Sequence, residues 1–209
     1  MTNTHDKWAN PQKMWDERFS EVVPVYGEQP NQFLREQASR LKAGMKVLVP
    51  ADGYGRNGVW LAKQGLQVHT VDLSPVGVER ARKLARAAGV DMIIELADLS
   101  AWNWPVDEFD AAASIFLHLL PDVRPKIHSN ILRAVKRGGL VLLEAFTPAQ
   151  LRHSSGGPKQ VELLYTAEIL RQDFAQAAPL LLEEKETVLD EGHMHRGTVA
   201  VVRAVFQRR

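Results

Sequence analysis

Lys46–Val47–Leu48–Val49–Pro50 is a short apolar run that leads straight into Ala51–Asp52–Gly53–Tyr54–Gly55, and apolar helical spacing follows at Val59, Leu61 and Ala62 before Gly65. A buried strand, a glycine bend and an amphipathic helix in that order predict a strand covered by a helix that crosses over one face of a sheet. The pattern then recurs. Gln67 to Val71 reads as a second strand. Ser74–Pro75 opens a helix, since serine caps free N–H groups and proline fits the first turn. Val78, Ala81, Ala85 and Ala88 mark its apolar face before Gly89. Met92 to Leu96 and Phe109 to Ile115 are further strands. Ile127, Ile131 and Val135 predict a helix ending in Lys136 and Arg137, where its dipole favours cations. Leu140 to Phe146 is almost wholly apolar, as a central strand covered on both faces must be. Such alternation specifies a parallel sheet with right-handed crossovers.

The last third departs from it. Thr166 caps a helix through Phe174, and Leu180–Leu189 and Thr198–Phe206 are two long extended stretches. The eight residues DEGHMHRG between them are too few for a crossover helix, so the two pair antiparallel. At 209 residues the chain fits one α/β domain better than two. Its 26 Lys and Arg against 25 Asp and Glu give a charge of +1. That balance offers no footprint for nucleic acid or an anionic membrane. No apolar run approaches the ~20 residues of a membrane helix. The opening segment MTNTHDKWANPQ lacks the apolar stretch of a signal peptide. Cysteine is absent, which removes disulfides and thiolate chemistry and fits a reducing compartment. These readings lead to the expectation of a cytoplasmic protein.

Gly53-Tyr-Gly55-Arg-Asn-Gly58 satisfies G-x-G-x-x-G, and Asp72 ends the next strand 19 residues after Gly53. By spacing alone this is a dinucleotide fingerprint with the acid on a ribose hydroxyl. Three features oppose a dinucleotide. Asp52 lies inside the turn, where a carboxylate at ~4 Å would repel a pyrophosphate by about 1 to 4 kcal/mol, whereas it suits a ligand carrying an ammonium. The terminal hairpin replaces the end of a second mononucleotide-binding half. Asp98, followed by Leu99, emerges on the same edge, where it would accept a hydrogen bond from an adenine amino group. One adenosine, one amino-acid head group and no phosphate describe S-adenosylmethionine. Tyr26, Trp15 and Trp102 are aromatic candidates for its sulfonium, with plain packing as their alternative.

WDERF (Trp15–Phe19), YGEQPNQFL (Tyr26–Leu34), GYGRNGVWLA, VDLS (Val71–Ser74), ADL (Ala97–Leu99), FDAAASIFLHLL and KRGGLVLLEAFTP occur in this order. The sequence thereby resembles the class I S-adenosylmethionine-dependent methyltransferases, nearest the small bacterial members grouped with tellurite-resistance and thiopurine methyltransferases. The resemblance spans about residues 8–206. It implies a single Rossmann-like domain over 1–209, with residues 1–41 as a helical cap over the cofactor site and 42–209 as the core. It implies a seven-stranded sheet in the order 3-2-1-4-5-7-6, with strand 7 antiparallel and helices on both faces. It implies that Gly53 and Gly55 let the backbone approach the cofactor and that Asp72 with Leu73 receives the ribose. Asp98 and Leu99 border the adenine in the same reading, and Ser114 and Ile115 line its other side. Many members carry an acid at the position of Val49 and glycine at that of Ala51. Asp52, with Asn57 beside it in the loop, is the expected substitute for holding the methionyl amine.

Methyl transfer from a sulfonium is activated by its leaving group, so alignment and exclusion of water contribute most. A base is needed only where the acceptor binds protonated. Tyr26, His118, His195 and Arg196 are the candidates near the reacting atoms. Tyr26 falls in the segment expected to fold over the cofactor, and His118 follows the fourth strand. His193, His195 and Arg196 lie between the last two strands, where they would suit an anionic acceptor such as an oxyanion. Packing, a capped surface histidine and a polar turn are the respective alternatives. His193-x-His195 lacks a clear third ligand, so no metal is expected. Arg152–Pro158 is either an acceptor loop or a connection. The expected activity is methylation of a small molecule, a soft S, Se or Te nucleophile or another small acceptor, with S-adenosylhomocysteine as product. The expected protein is a monomer or homodimer that uses neither nucleic acid nor membrane. The rivals are an NAD(P)-dependent oxidoreductase and a catalytically silent S-adenosylmethionine-binding protein.

Overall fold

The computed structural model describes residues 10–209. The start of the expected cap, and with it the polar opening segment as far as residue 9, lies outside the described residues. Seven strands form one sheet: β1 (Lys46–Pro50), β2 (Gln67–Asp72), β3 (Ile93–Leu96), β4 (Phe109–Ile115), β5 (Val135–Phe146), β6 (Ala177–Asp190) and β7 (Arg196–Arg208). Their order is β3-β2-β1-β4-β5-β7-β6. Strands β1 to β5 run parallel, and β7 is antiparallel to both neighbours. The expected sheet is therefore the observed one. The helices are α1 (Pro11–Phe19), α2 (Gln32–Gln37), α3 (Arg56–Lys63), α4 (Pro75–Ala88), α5 (Arg124–Ala134) and α6 (Ala167–Asp173).

Alternation along β1 divides the core in two. Val47 and Val49 join Phe33 and Leu34 of α2 and Leu61 of α3. Leu48 points the other way and joins Ile127, Ile131 and Leu132 of α5 with Tyr165 and Phe206. Both faces are covered, which is why β4 from Ala111 on and the end of β5 from Val141 on are buried without a break and mostly apolar. The caps form as the sequence indicates. Ser74 Oγ accepts from Gly77 N at 3.0 Å, and Thr166 Oγ1 accepts from Ile169 N at 3.1 Å.

One boundary differs. Val135 was expected on the helix with Lys136 and Arg137 behind it, but α5 stops at Ala134 and Val135 pairs with Phe109 in the sheet. A fully buried β-branched side chain gains more as a strand residue. Lys136 Nζ donates to Asp110 Oδ1 at 2.6 Å, so it neutralises a carboxylate rather than a helix end.

What matters for function is the edge where β1, β2 and β4 end. Helix α1 lies across it and is fastened to α4. Asp16 Oδ1 accepts from Ser74 Oγ and from Val76 N (3.4 Å), and Arg80 donates to the carbonyls of Phe19 and Glu21 (2.5 and 2.6 Å). Two non-glycine residues at this edge have left-handed backbones, Ala51 (φ 56°) after β1 and Phe116 (φ 50°) after β4. Strain of this kind concentrates where a fixed geometry serves a ligand. Among the described residues no helix is long and apolar enough to cross a membrane.

Candidate active site

Beneath α1 lies a cavity of about 450 Å³, within the range of small-molecule sites. Asp72, Leu73, Asp98 and Leu99 line one side, and Phe116, Leu117 and His118 line another. Asp72 ties the edge together: Oδ2 accepts from Gly53 N at 2.7 Å and Oδ1 from Ser74 N at 2.8 Å. Burial pushes its carboxyl up to about 6. Each oxygen keeps a second lone pair for a ligand hydroxyl. Asp98 sits at the exposed rim, its Oδ1 accepting from Ser100 N at 2.8 Å. Gly53 has no room for a side chain, because a Cβ there would stand 2.7 Å from Phe19 Cζ. The aromatic lid therefore closes directly on the glycine turn.

A smaller pocket of about 60 Å³ shares Trp15, Phe19, Ala51, Phe116 and His118 with the large cavity and adds Asp52, Gly53, Asn57 and Ile115. Asp52 Oδ2 accepts from Gly58 N at 2.8 Å, capping the first turn of α3. Its Oδ1 is buried without a partner among the described residues, and so are Nδ1 of His118 and Nδ1 of His195. All three side chains line this one pocket. Buried polar atoms are nearly always satisfied, so three orphans around one small space mark a place for a ligand. Burial pushes Asp52 up to about 7. It holds both imidazoles neutral, His118 down at about 3 and His195 well below the usual histidine range. His118 also hydrogen-bonds the backbone of Leu163, which favours its protonated form.

A third pocket, about 140 Å³, shares Tyr26, His118 and His195 with the small one and is completed by Arg18, Gly157 and Lys159 among others. Three loops meet here. The β6–β7 tip touches the Tyr26 loop where Met194 N donates to Val25 O (3.0 Å), and a Cβ on Gly192 would lie 2.3 Å from Gly27 N. A buried ionic clamp fixes the tip. Glu191 accepts from Arg56 (2.7 Å), Gln32 N (2.7 Å) and Asn31 Nδ2 (3.2 Å), and Asn31 Nδ2 also reaches Glu144, which pairs with Arg203 at 2.6 Å.

Of the residues expected at the site, Asp52, Gly53, Asn57, Asp72, Leu73, Asp98, Leu99, Ile115, Tyr26, His118 and His195 line these spaces. Five others lie elsewhere. Gly55 (φ 88°) caps α3 and packs on Ala81. Ser114 is buried in the sheet, and Phe116 and Leu117 line the wall expected of it. Arg196 has a side chain 75% exposed and pairs with Asp190 at 3.5 Å. Trp102 packs against His69 and Trp104 and donates to Glu95 at 2.9 Å, away from the cavity. His193 is exposed beside Glu21, and among the described residues no group of three ligating side chains could hold a metal. Sequence reasoning missed Phe116, Arg18 and Lys159. Arg18 stands inside WDERF, so the signal was present without a direction attached to it.

Residues 47–139 match the sequence family described as a methyltransferase domain. Thiopurine S-methyltransferase of Bordetella petrii is 30% identical over 145 residues, which cover 66% of this chain and 58% of that protein. The chain spans between 40% and 58% of the length of the curated relatives it matches. Among solved structures, a protein from work on the conversion of a disulfide bond into a thioacetal group during echinomycin biosynthesis superposes with a TM-score of 0.73 at 20% identity, over 99% of this chain and 92% of that one. TehB from Haemophilus influenzae gives 0.71 at 17% identity, over 95% and 67%. Identities this low speak for the fold and not for the substrate. The described chain has the Rossmann-like fold of the S-adenosylmethionine-dependent methyltransferases, and the segment matched in sequence is the one that holds Asp52, Asp72, Asp98 and His118.

Proposed function

We propose that this protein transfers a methyl group from S-adenosylmethionine to a small molecule, through a soft sulfur, selenium or tellurium nucleophile. The observation that carries the donor is the buried Asp52 Oδ1, left without a partner in the small pocket that adjoins the Asp72 cavity. The Asp52 carboxylate there suits an ammonium, and neutral imidazoles beside it add no charge to repel a sulfonium. Asp72 would hold the ribose hydroxyls, and Asp98 with Leu99 would border the adenine. Asp52 would hold the methionyl amine, with Asn57 fixing the adjacent backbone by accepting from Asn31 N at 2.9 Å.

When bound, S-adenosylmethionine supplies an electrophilic methyl on a sulfonium, and S-adenosylhomocysteine is the product. The chain supplies alignment and dryness. Tyr26, His118 and His195 line both the small pocket and the 140 Å³ pocket, so in this reading they stand where donor and acceptor meet. Trp15 and Phe19 stack at 5.5 Å and exclude water from above. His118 remains an acceptor of hydrogen bonds at ordinary pH, since its burial keeps it uncharged. Arg196 takes no part.

Sulfur as the acceptor atom is supported by the Bordetella relative and by the echinomycin structure, whose descriptions both concern sulfur. The near-balance of charge favours a small molecule over a polyanion. We place the protein in the cytoplasm as a monomer or homodimer. Calorimetry with S-adenosylmethionine and NADH, together with mass spectrometry of small molecules that co-purify, tests the reading. Saturable binding of the donor and none of NADH is expected; NADH binding without donor binding would overturn it.

A further inference from the structure

The cavity beneath α1 and the 140 Å³ pocket carry opposite charge. Asp72 and Asp98 line the large cavity and Asp52 the small one beside it, whereas the 140 Å³ pocket is lined by Arg18 and Lys159 and by no carboxylate. Arg18 is held in place without being neutralised. It donates to Tyr26 Oη at 3.2 Å, and its guanidinium lies 4.9 Å from the centre of the Trp15 ring. Lys159 Nζ reaches only a backbone carbonyl, that of His153, at 3.4 Å. Among the described residues no carboxylate forms an ion pair with either cation.

A preorganised guanidinium without a counter-ion, beside a second cation, is a site for an anion. The size is also set, because a cavity of about 150 Å³ accommodates a benzene ring. The occupant therefore has no more than about ten non-hydrogen atoms. The imidazoles add a further requirement. His118 and His195 line this pocket, and each has a buried Nδ1 without a partner. An occupant that donates a hydrogen to them satisfies what the folded chain leaves open.

We infer that the 140 Å³ pocket binds the methyl acceptor, and that the acceptor is a small anion, its negative group on Arg18 and Lys159 and a hydrogen-bearing nucleophile against His118. This rests on the methyl-transfer reading and narrows it. The anion-binding role expected of Arg196 thereby passes to Arg18 of α1.

The test uses protein saturated with S-adenosylhomocysteine, titrated calorimetrically with three thiols of similar size: thioglycolate (anionic), β-mercaptoethanol (neutral) and cysteamine (cationic). Thioglycolate is expected to bind at least tenfold more tightly than β-mercaptoethanol, and cysteamine not measurably. Arg18→Gln should remove that preference, Arg18→Lys should keep part of it, and the affinity for S-adenosylhomocysteine serves as the control for folding. Equal binding of the anionic and neutral thiols, or an equal loss of both in Arg18→Gln, would overturn the inference while leaving the donor reading intact. Protein that takes up no S-adenosylhomocysteine would overturn the donor reading, and the inference would fall with it.

Discussion

Asp52→Asn separates ligand binding from folding, because the native carboxylate serves one at the expense of the other. Burial raises the Asp52 pKa from 3.8 to about 7. The folded chain thus holds a proton that the unfolded chain releases between about pH 4 and pH 7. The sign follows directly: stability contributed by this group falls as pH rises through that window, and the full penalty is reached above pH 7. At about 1.4 kcal/mol per pKa unit, the penalty at pH 8 has an upper bound of about 4 kcal/mol. Asparagine keeps an oxygen to accept the Gly58 N–H and discards the charge. The variant should therefore be more stable than the native protein by about 2 to 4 kcal/mol at pH 8, a gain that shrinks by more than half at pH 5. Denaturant unfolding at the two pH values measures this. The same substitution should weaken S-adenosylmethionine by roughly tenfold or more, because the charged partner of its ammonium is gone. Native affinity should begin to drop as pH falls below 7, whereas the variant's should hold until Asp72, raised to about 6, takes up its proton. A variant that is less stable at pH 8, or that binds the donor as tightly as the native protein, refutes the reasoning.

Other consequences can be measured separately. Asp72→Ala should cost about 1 to 3 kcal/mol of donor affinity by calorimetry, since charged hydrogen bonds are lost; unchanged affinity would remove Asp72 from the site. Ala51→Gly should stabilise the fold by roughly 0.5 to 1 kcal/mol, because the left-handed backbone at φ 56° strains alanine and not glycine. A loss of stability on denaturation would show that the Cβ packs usefully there. Glu191→Ala leaves Arg56 buried and unpaired, so the midpoint of unfolding should fall by the equivalent of about 3 to 5 kcal/mol. A loss below ~1 kcal/mol would mean that the clamp is dispensable.

In the reading proposed above, the donor half of the site was legible in the sequence and the acceptor half was not, for a reason rooted in how each is built. Asp52, Asp72, Asp98 and His118 all follow parallel strands or end them, and the carboxyl ends of parallel strands share one edge once the order of the sheet is known. Local pattern therefore suffices for them. The acceptor pocket is made by three loops and one face of α1, and no local pattern says that they meet. Asn31 bonds Glu144 and Glu191 across 113 and 160 residues of sequence. Arg196 misled because it adjoins His195. His195 lies in the turn before β7 and is buried against Tyr26, whereas Arg196 opens the strand with its side chain in solvent, paired with Asp190. The helix period gives the complementary lesson in WDERF. Trp15 and Phe19 lie four apart and close over the donor cavity, while Met14 and Arg18, also four apart, turn to the acceptor pocket. One short helix thus contributes an aromatic wall to the first and a cation to the second. A change in its register of a single residue would put Glu17 or Phe19 in the place of Arg18, so in the reading proposed above the choice of acceptor depends on α1 rather than on the β6–β7 tip.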